Sequence, residues 1–263
     1  MQDISGSPSV GEYNTKAVER PNFTWGKKTI MSEMFSNDGP SRRRFLQLGL
    51  AGTAAGLVTG GLELTLPSQA RGQSILTPDA ALMELVDGNK RFIAEKLTSF
   101  DHDLAILKQH TVEKQEPFAA VLSCADSRVP VELVFDQSIG HIFVTRVAGN
   151  VITPEIIGSL EYGAAVLGTK VILVMGHSGC GAVKATMQGK EVPGQISSLF
   201  PHIQPGVDQG GQSLEAATKA NAKIQATLLR EASTVIASLV KENKLKVLAG
   251  YYALDTGAVE LLS

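Results

Sequence analysis

The chain has 263 residues, of which 43% are hydrophobic and 19% are charged, and its formal net charge is −2. This composition is typical of a folded globular protein, and the near-balance of charge argues against a nucleic-acid-binding protein or a general membrane-surface protein. Because the chain contains only two cysteines, a disulfide-rich scaffold is excluded as well.

The first 70 residues are predicted to lie outside the folded domain. Residues 1–40 are rich in Ser, Asn, Gly and charged residues and have no apolar period, so we expect a disordered N-terminal extension. Residues 41–70 begin with the run SRRRFL, continue through a moderately apolar stretch and end in small residues. These are the three parts of an export signal.

The paired arginines Arg42 and Arg43, followed after one further residue by Phe-Leu, resemble a twin-arginine (Tat) signal. The five glycines between positions 49 and 61 disfavour the alternative, a basic-ended amphipathic or membrane helix. We therefore expect recognition by the Tat translocase, a mature chain that begins near Arg71, and a periplasmic or other extracytoplasmic location.

Residues 71–263 are predicted to form one domain. Thr77-Pro78-Asp79 has the pattern of a helix start, with a capping residue, a proline and an acid. No segment of residues 75–263 is apolar for long enough to predict a transmembrane helix. Apolar runs predict strands at 118–123, 141–146, 170–175 and 246–254, and the patterns at 154–167 and 213–242 predict helices. This alternation predicts an α/β fold with a mainly parallel central sheet flanked by helices.

Two polar segments directly follow predicted strands. The sequence CADSR at 124–128 comes after the run at 118–123, and the sequence HSGCG at 177–181 comes after the run at 170–175. Parallel α/β sheets bind their ligands at the carboxyl ends of the strands. We therefore expect the two segments to meet at one edge of the sheet.

Both cysteines of the chain, Cys124 and Cys180, lie in these segments together with His177. The cysteine count alone is equally consistent with a disulfide in an exported protein and with a metal site. The histidine three residues before Cys180 and the Asp-Ser-Arg sequence near Cys124 favour the metal. Two thiolates and one imidazole suit Zn²⁺, and three protein ligands leave a fourth position for water, as in catalytic zinc sites.

Asp126 and Arg128 are candidates for the chemistry beside that zinc. The carboxylate of Asp126 lies two residues from a ligand and could orient a zinc-bound water whose pKa the ion lowers. The planar guanidinium of Arg128 matches a carboxylate in a bidentate pair. Taken alone, such a pair would more often be a plain surface ion pair, so the prediction rests on its combination with the three ligands.

The pattern Cys-x-Asp-x-Arg, followed some fifty residues later by His-x-x-Cys, resembles the β-class carbonic anhydrases. The resemblance spans roughly residues 77–263 and includes the sequences RVAGN at 146–150 and GHSGCGA at 176–182. It implies zinc bound by Cys124, His177 and Cys180, and a catalytic pair formed by Asp126 and Arg128. The residues that it implies in substrate binding are Gln115, Phe143, Ala148, Tyr162 and the backbone N–H of Gly181.

The resemblance also implies a reaction and an assembly. The reaction is the zinc-dependent, reversible hydration of CO₂ to bicarbonate and a proton. The assembly is a homodimer or a larger homo-oligomer with sites at the subunit interface, to which Gln115 and Tyr162 would come from the neighbouring subunit. The alternatives are hydrolysis of carbonyl sulfide or carbon disulfide on the same site, and a non-catalytic zinc-binding protein.

One subset of this family binds bicarbonate at a non-catalytic site and loses activity at lower pH. Those members carry a tryptophan three residues before the first cysteine ligand, with an arginine and a tyrosine nearby. Here Arg146 and Tyr162 match, but the tryptophan position is Val121, which has no indole N–H to donate. We therefore expect Asp126 to pair with Arg128, and activity to fall gradually as the pH drops.

Overall fold

A five-stranded sheet lies at the centre of the fold. The computed structural model describes residues 74–99 and 114–263; the predicted disordered extension at 1–40 and the Tat signal at 41–70 lie outside the described residues. The strands are β1 Ala119–Ser123, β2 Ile142–Arg146, β3 Val171–His177, β4 Lys246–Tyr252 and β5 Val259–Leu262.

The order of the strands across the sheet is β2-β1-β3-β4-β5. The first four strands are parallel to their neighbours, and β5 runs antiparallel to β4. The predicted α/β fold with a mainly parallel sheet is therefore confirmed. Because β1 and β3 are neighbours, their carboxyl ends lie side by side, with Ser123 opposite Met175.

The sheet is buried on both faces, which explains the nearly continuous apolar runs of its central strands. Successive side chains of a strand point to opposite faces: Val121 packs in one core cluster with Leu85 and Phe135, whereas Leu122 packs in another with Leu229. Helices cover both clusters.

The described helices are α1 Pro78–Ile93, α2 Val131–Val134, α3 Pro154–Glu161, α4 Gly181–Gln188, α5 Phe200–Gly210, α6 Leu214–Ala232 and α7 Thr234–Lys241. The predicted start of α1 is confirmed, since the Thr77 hydroxyl accepts a hydrogen bond from the N–H of Ala80. None of the helices in the described ranges is long and apolar enough to cross a membrane.

The single helices predicted over 213–242 and 154–167 are wrong in detail. Ser233 divides the first into α6 and α7. Its extended backbone ends α6, and its hydroxyl caps α7 by accepting a hydrogen bond from the N–H of Ile236. The second changes after Glu161 into a π-helical turn, Tyr162–Val166. Gly163 in that turn packs against the Phe143 ring, which leaves little room for a side chain.

A buried carboxylate outside the ligand segments ties α1 to the end of α2. The side chain of Asp136 is fully buried and pairs with Arg91. It also accepts hydrogen bonds from the N–H and hydroxyl groups of Thr98 and Ser99. Burial raises the pKa of Asp136, but these donors together hold it well below its usual range. The carboxylate is therefore ionised at neutral pH and stabilises the fold.

We expect Asp136→Asn to lower the free energy of unfolding by about 1.5–3 kcal/mol, the usual range for hydrogen bonds to a charged group. Asn tolerates the left-handed backbone at this position, where φ is 44°, so the substitution tests the charge. A lowered native pKa gives stability above the unfolded pKa that is lost as the pH falls. The difference from the parent chain in urea unfolding should therefore shrink between about pH 5 and pH 3.

Asp79→Asn is the control for this measurement, because Asp79 is an exposed acid on α1 that pairs with Lys246. Exposed ion pairs contribute about 0–1 kcal/mol. Equal losses of unfolding free energy in the two variants would contradict a stabilising role for the ionised Asp136 carboxylate. A loss in Asp136→Asn that does not change with pH would contradict it as well.

Candidate metal centre

The two ligand segments meet at the carboxyl edge of β1 and β3. Cys124 directly follows β1, His177 is the last residue of β3, and Cys180 lies at the start of α4. Their ligand atoms all lie within 4.8 Å of one another, and all three side chains are buried. Both cysteines are free thiols in the structure, and the three side chains together could hold a metal ion.

The tautomer of His177 is set by its neighbour. Its Nδ1 lies 2.9 Å from the carbonyl oxygen of Ser178, so Nδ1 carries the hydrogen and donates it. The lone pair therefore resides on Nε2, which is buried and has no hydrogen-bond partner among the residues that the structure describes. A buried acceptor without a partner is costly, and a metal ion held with the two sulfurs would satisfy it. Orientation of a ligating imidazole through its other nitrogen is usual in metal sites.

The two cysteine thiols shift each other's pKa in opposite directions. A hydrogen bond from Cys180 lowers the pKa of Cys124 to about 4, against the opposing effect of burial, and the N–H of Gly149 contributes to the lowering. The same bond and burial raise the pKa of Cys180, whereas the N–H groups of Ala182 and Val183 oppose the rise. The pair thus favours a thiolate on Cys124, and a bound divalent metal would release the proton of Cys180.

Asp126 and Arg128 form the ion pair expected from their spacing. Arg128 donates from Nε to Oδ1 at 2.9 Å and from Nη2 to Oδ2 at 2.7 Å, and its backbone N–H donates to Oδ1. The hydrogen bonds from Arg128 hold the pKa of Asp126 well below its usual range. Oδ2 lies 3.9 Å from Nε2 of His177. An ionised carboxylate of fixed orientation therefore lies beside the ligand cluster.

Arg146, at the end of β2, holds the segment that carries the first ligand. Its guanidinium donates hydrogen bonds to the carbonyl oxygens of Cys124 and Asp126. Beyond it, the backbone N–H of Gly149 lies 3.4 Å from the Cys124 sulfur and donates to it. The neighbouring strand and the turn after it thus fix both the backbone and the sulfur of the ligand.

Comparison with known proteins identifies the family. The profile described as "Carbonic anhydrase" matches residues 119–259. Carbonic anhydrase 2 of Mycobacterium tuberculosis (strain H37Rv) is 32% identical over 196 residues, which cover 70% of this chain and 92% of that protein. The carbonic anhydrase of Mycolicibacterium smegmatis is 34% identical over 194 residues, covering 71% and 94%. This chain belongs to the β-class carbonic anhydrases.

Solved structures agree on the fold. A tetrameric β-carbonic anhydrase of Sordaria macrospora superposes with a TM-score of 0.57 at 18% identity, covering 69% of this chain and 96% of that one. The β-carbonic anhydrase CafA of Aspergillus fumigatus has a TM-score of 0.56 at 24% identity, covering 70% and 90%. The predicted fold is therefore confirmed, and the family profile and the mycobacterial relatives confirm the predicted enzyme class.

The predicted substrate residues of this carbonic anhydrase divide into two groups. Ala148 and Gly181 lie beside the ligands: Ala148 begins the 3-10 turn that carries Gly149, and Gly181 follows Cys180 at the start of α4. A Cβ at Gly181 would meet no described atom within 4 Å, so the space on that side of the residue is open. Contact of either position with a substrate stays a prediction.

The other three predicted substrate residues lie away from the ligands of their own chain. Phe143 is opposite Ala120 on β1, four residues before Cys124 and so about 13 Å along the strand. The Tyr162 ring is 6.3 Å from the Phe143 ring and is 47% exposed. Gln115 is exposed and precedes the start of β1, at the opposite end from the ligand. Contact of these residues with a neighbouring subunit's site stays a prediction.

The backbone donor at Gly149 was absent from the predicted site. Residue types predict side-chain ligands, but they do not identify a peptide N–H that points at a sulfur. The only signal was indirect: the glycine follows a predicted strand, in a turn next to the site. Its φ of 75° is a conformation that glycine adopts at little cost.

Proposed function

We propose that this carbonic anhydrase is a zinc enzyme that catalyses the reversible hydration of CO₂ to bicarbonate and a proton. The observation that carries the proposal is the cluster of Cys124, His177 and Cys180, whose ligand atoms lie within 4.8 Å of one another. One of these atoms, the buried Nε2 of His177, has no hydrogen-bond partner in the described part of the chain. Two thiolates and one imidazole match the ligand preference of Zn²⁺, and three protein ligands are typical of catalytic zinc sites.

The roles of the surrounding residues follow from their positions. When bound, zinc would supply the Lewis acidity that makes water a nucleophile near neutral pH. Asp126 is ionised and can accept a hydrogen bond from the attacking water, which orients that water toward CO₂. Arg128 fixes the carboxylate with its planar fork. The N–H of Gly181, at the start of α4, is available to an oxygen of bicarbonate.

Removal of the metal tests this proposal. We expect the purified protein to contain one zinc ion per chain, to lose CO₂ hydration on exhaustive chelation, and to regain it when Zn²⁺ is restored. Metal content by mass spectrometry and hydration by stopped-flow pH-indicator assay are the measurements. Full activity in the metal-free protein would contradict the proposal.

The same preparation should be assayed with carbonyl sulfide and carbon disulfide. Turnover of either compound at a higher kcat/KM than CO₂ would favour the alternative hydrolase. Zinc binding without turnover of any of the three would indicate a non-catalytic zinc-binding protein.

We propose in addition that the enzyme works as a homodimer or a larger homo-oligomer. Three observations support this assembly. Tyr162 is 47% exposed beside Phe143, Gln115 is exposed at the amino end of β1, and β2 forms an edge of the sheet. If a second chain covered this region, Gln115 and Tyr162 of one chain would lie next to the metal ligands of the other chain. Within a single chain these two residues lie away from the ligands.

For the location we propose export by the Tat translocase to the periplasm or another extracytoplasmic compartment. The proposal rests on the run SRRRFL and on the apolar stretch that follows it. A Tat route also agrees with the metal chemistry. It carries folded proteins, so zinc could be bound in the cytoplasm, where thiols stay reduced.

Replacing Arg42 and Arg43 together by Lys should leave the full-length chain in the cytoplasm. Lys keeps the positive charge, so the substitution tests the arginine pair that the export machinery reads. Arg44→Lys leaves the pair intact and is the control, which should be exported and processed near Arg71. Cell fractionation and N-terminal sequencing are the measurements. Full-length chain in the cytoplasm with all arginines intact would contradict the signal.

A further inference from the structure

Two buried amide side chains lie on α6, one helical turn apart. Asn221 is 0% exposed and Gln225 is 1% exposed, on a helix face whose other buried members include Ala222 and Leu229. Buried amides are costly unless they are hydrogen-bonded. The partners of these two side chains therefore indicate why polar groups occupy a position that Ala or Leu could fill.

The partners belong mainly to the backbone between β2 and α3. Asn221 Nδ2 donates to the carbonyl oxygen of Gly149 at 2.9 Å, and Gln225 Oε1 accepts from the N–H of Ile152 at 2.8 Å. Gln225 Nε2 also donates to Asn221 Oδ1 and to the carbonyl oxygen of His202. The two amides thus form a linked pair that binds residues 149–152 to the helix at two points.

The backbone that they bind is unusual and tightly enclosed. Gly149 and the following Asn150 both have positive φ, 75° and 46°, and a Cβ at Gly149 would lie 2.6 Å from the Ile203 side chain. Such conformations persist only where the surroundings hold them. Asn221 binds the carbonyl oxygen of Gly149, whereas the N–H of the same residue belongs to the preceding peptide group and donates to the Cys124 sulfur at 3.4 Å. The direction of this N–H therefore depends on the backbone conformation of Gly149, which the amide pair stabilises.

We propose that Asn221 and Gln225 are positioning residues of the metal centre, which hold the Gly149 N–H on the Cys124 sulfur. This inference rests on the proposed zinc site. An N–H···S bond withdraws electron density from a thiolate ligand, and hydrogen bonds to ligand sulfurs tune the properties of the bound metal. The amide pair therefore acts on the metal through one backbone donor and touches neither metal nor substrate.

The test compares Asn221→Ala and Gln225→Met with Thr218→Val in the full-length chain. Thr218 is a matched control because it is equally buried on the same helix and loses only the bond from its hydroxyl to the carbonyl oxygen of Leu214. Met keeps the length and flexibility of Gln, and Ala and Met both favour a helix. Circular dichroism establishes whether each variant folds. If Asn221→Ala does not fold, the measurements on Gln225→Met alone test the inference.

Two measurements are made on each protein. One is the Zn²⁺ dissociation constant by chelator competition, and the other is the thiolate-to-metal charge-transfer band after loading with Co²⁺. We expect the amide variants to bind Zn²⁺ about 10-fold more weakly, at the lower end of the range for lost outer partners of ligands. Their band should move to lower energy, because the sulfur regains electron density. Thr218→Val should match the parent chain in both.

An unchanged band and an affinity equal to that of Thr218→Val would overturn the inference while leaving the zinc site in place. Failure of the parent chain to bind Zn²⁺ or Co²⁺ would overturn the proposed function and the inference together. The two failures are therefore distinguishable.

Discussion

Cys124→Ser and His177→Ala should each remove the bound metal and reduce CO₂ hydration to the uncatalysed background. Each substitution deletes one of three ligand atoms that lie within 4.8 Å of one another. A serine hydroxyl stays protonated near neutral pH and does not replace a thiolate, and alanine offers no ligand atom. Because the fourth position of a catalytic zinc site belongs to water, the remaining two ligands cannot hold the ion tightly.

The measurement pairs metal content with stopped-flow hydration on the same samples. His141→Ala is the control for the histidine, because His141 is exposed next to the amino end of β2, against Phe118, and away from the ligands. It should keep both metal and activity. Retention of metal and activity by either ligand variant, or a Cys124–Cys180 disulfide in an active preparation, would contradict the site.

The ligand cluster was predictable because two simple rules act on the same residues. Apolar runs locate the buried strands, and parallel strands present their carboxyl ends at one edge. Cys124 and His177 lie at the ends of such strands, so the chemistry of their side chains was enough to predict a shared metal. The pairing of Asp126 with Arg128 followed from their spacing of two residues and from opposite charge.

The parts that escaped prediction depend on tertiary contacts. Asn221 and Gln225 look like ordinary polar residues of a helix, and only packing shows that both face the buried turn at Gly149. The break at Ser233 arises because a serine inside an apolar period can cap a new helix as well as continue an old one. The short edge strand β5 has too few residues for a clear alternation.

The largest effect expected without loss of the metal is at Asp126. Asp126→Asn keeps all three ligands and nearly the same shape, so zinc content should be unchanged. The variant replaces an ionised acceptor by a neutral amide, which can present an N–H to the attacking water and so misorient it. Loss of an orienting group of this kind costs about 10²–10³ in kcat. Near-normal activity would show that the ion pair with Arg128 is structural only.

Two further variants test whether the effect depends on the geometry of the Asp126–Arg128 pair and whether it is specific to that pair. Arg128→Lys keeps a positive charge but loses the planar fork that donates from Nε and Nη2 to the carboxylate, so we expect a loss of activity smaller than that of Asp126→Asn. Asp87→Asn removes an exposed carboxylate paired with Lys90 on α1 and should have no effect on kcat.

The pH dependence of the parent enzyme gives an independent check on the same pair. Hydrogen bonds from Arg128 hold the pKa of Asp126 well below its usual range, so this carboxylate should stay ionised throughout the pH range of an assay. With Val121 in place of a tryptophan, no indole N–H supports a bicarbonate ion near Arg146 and Tyr162. Activity should therefore fall gradually with decreasing pH, as one proton binds. A steep, cooperative loss, or bicarbonate bound beside Arg146 with Asp126 released from Arg128, would contradict this expectation.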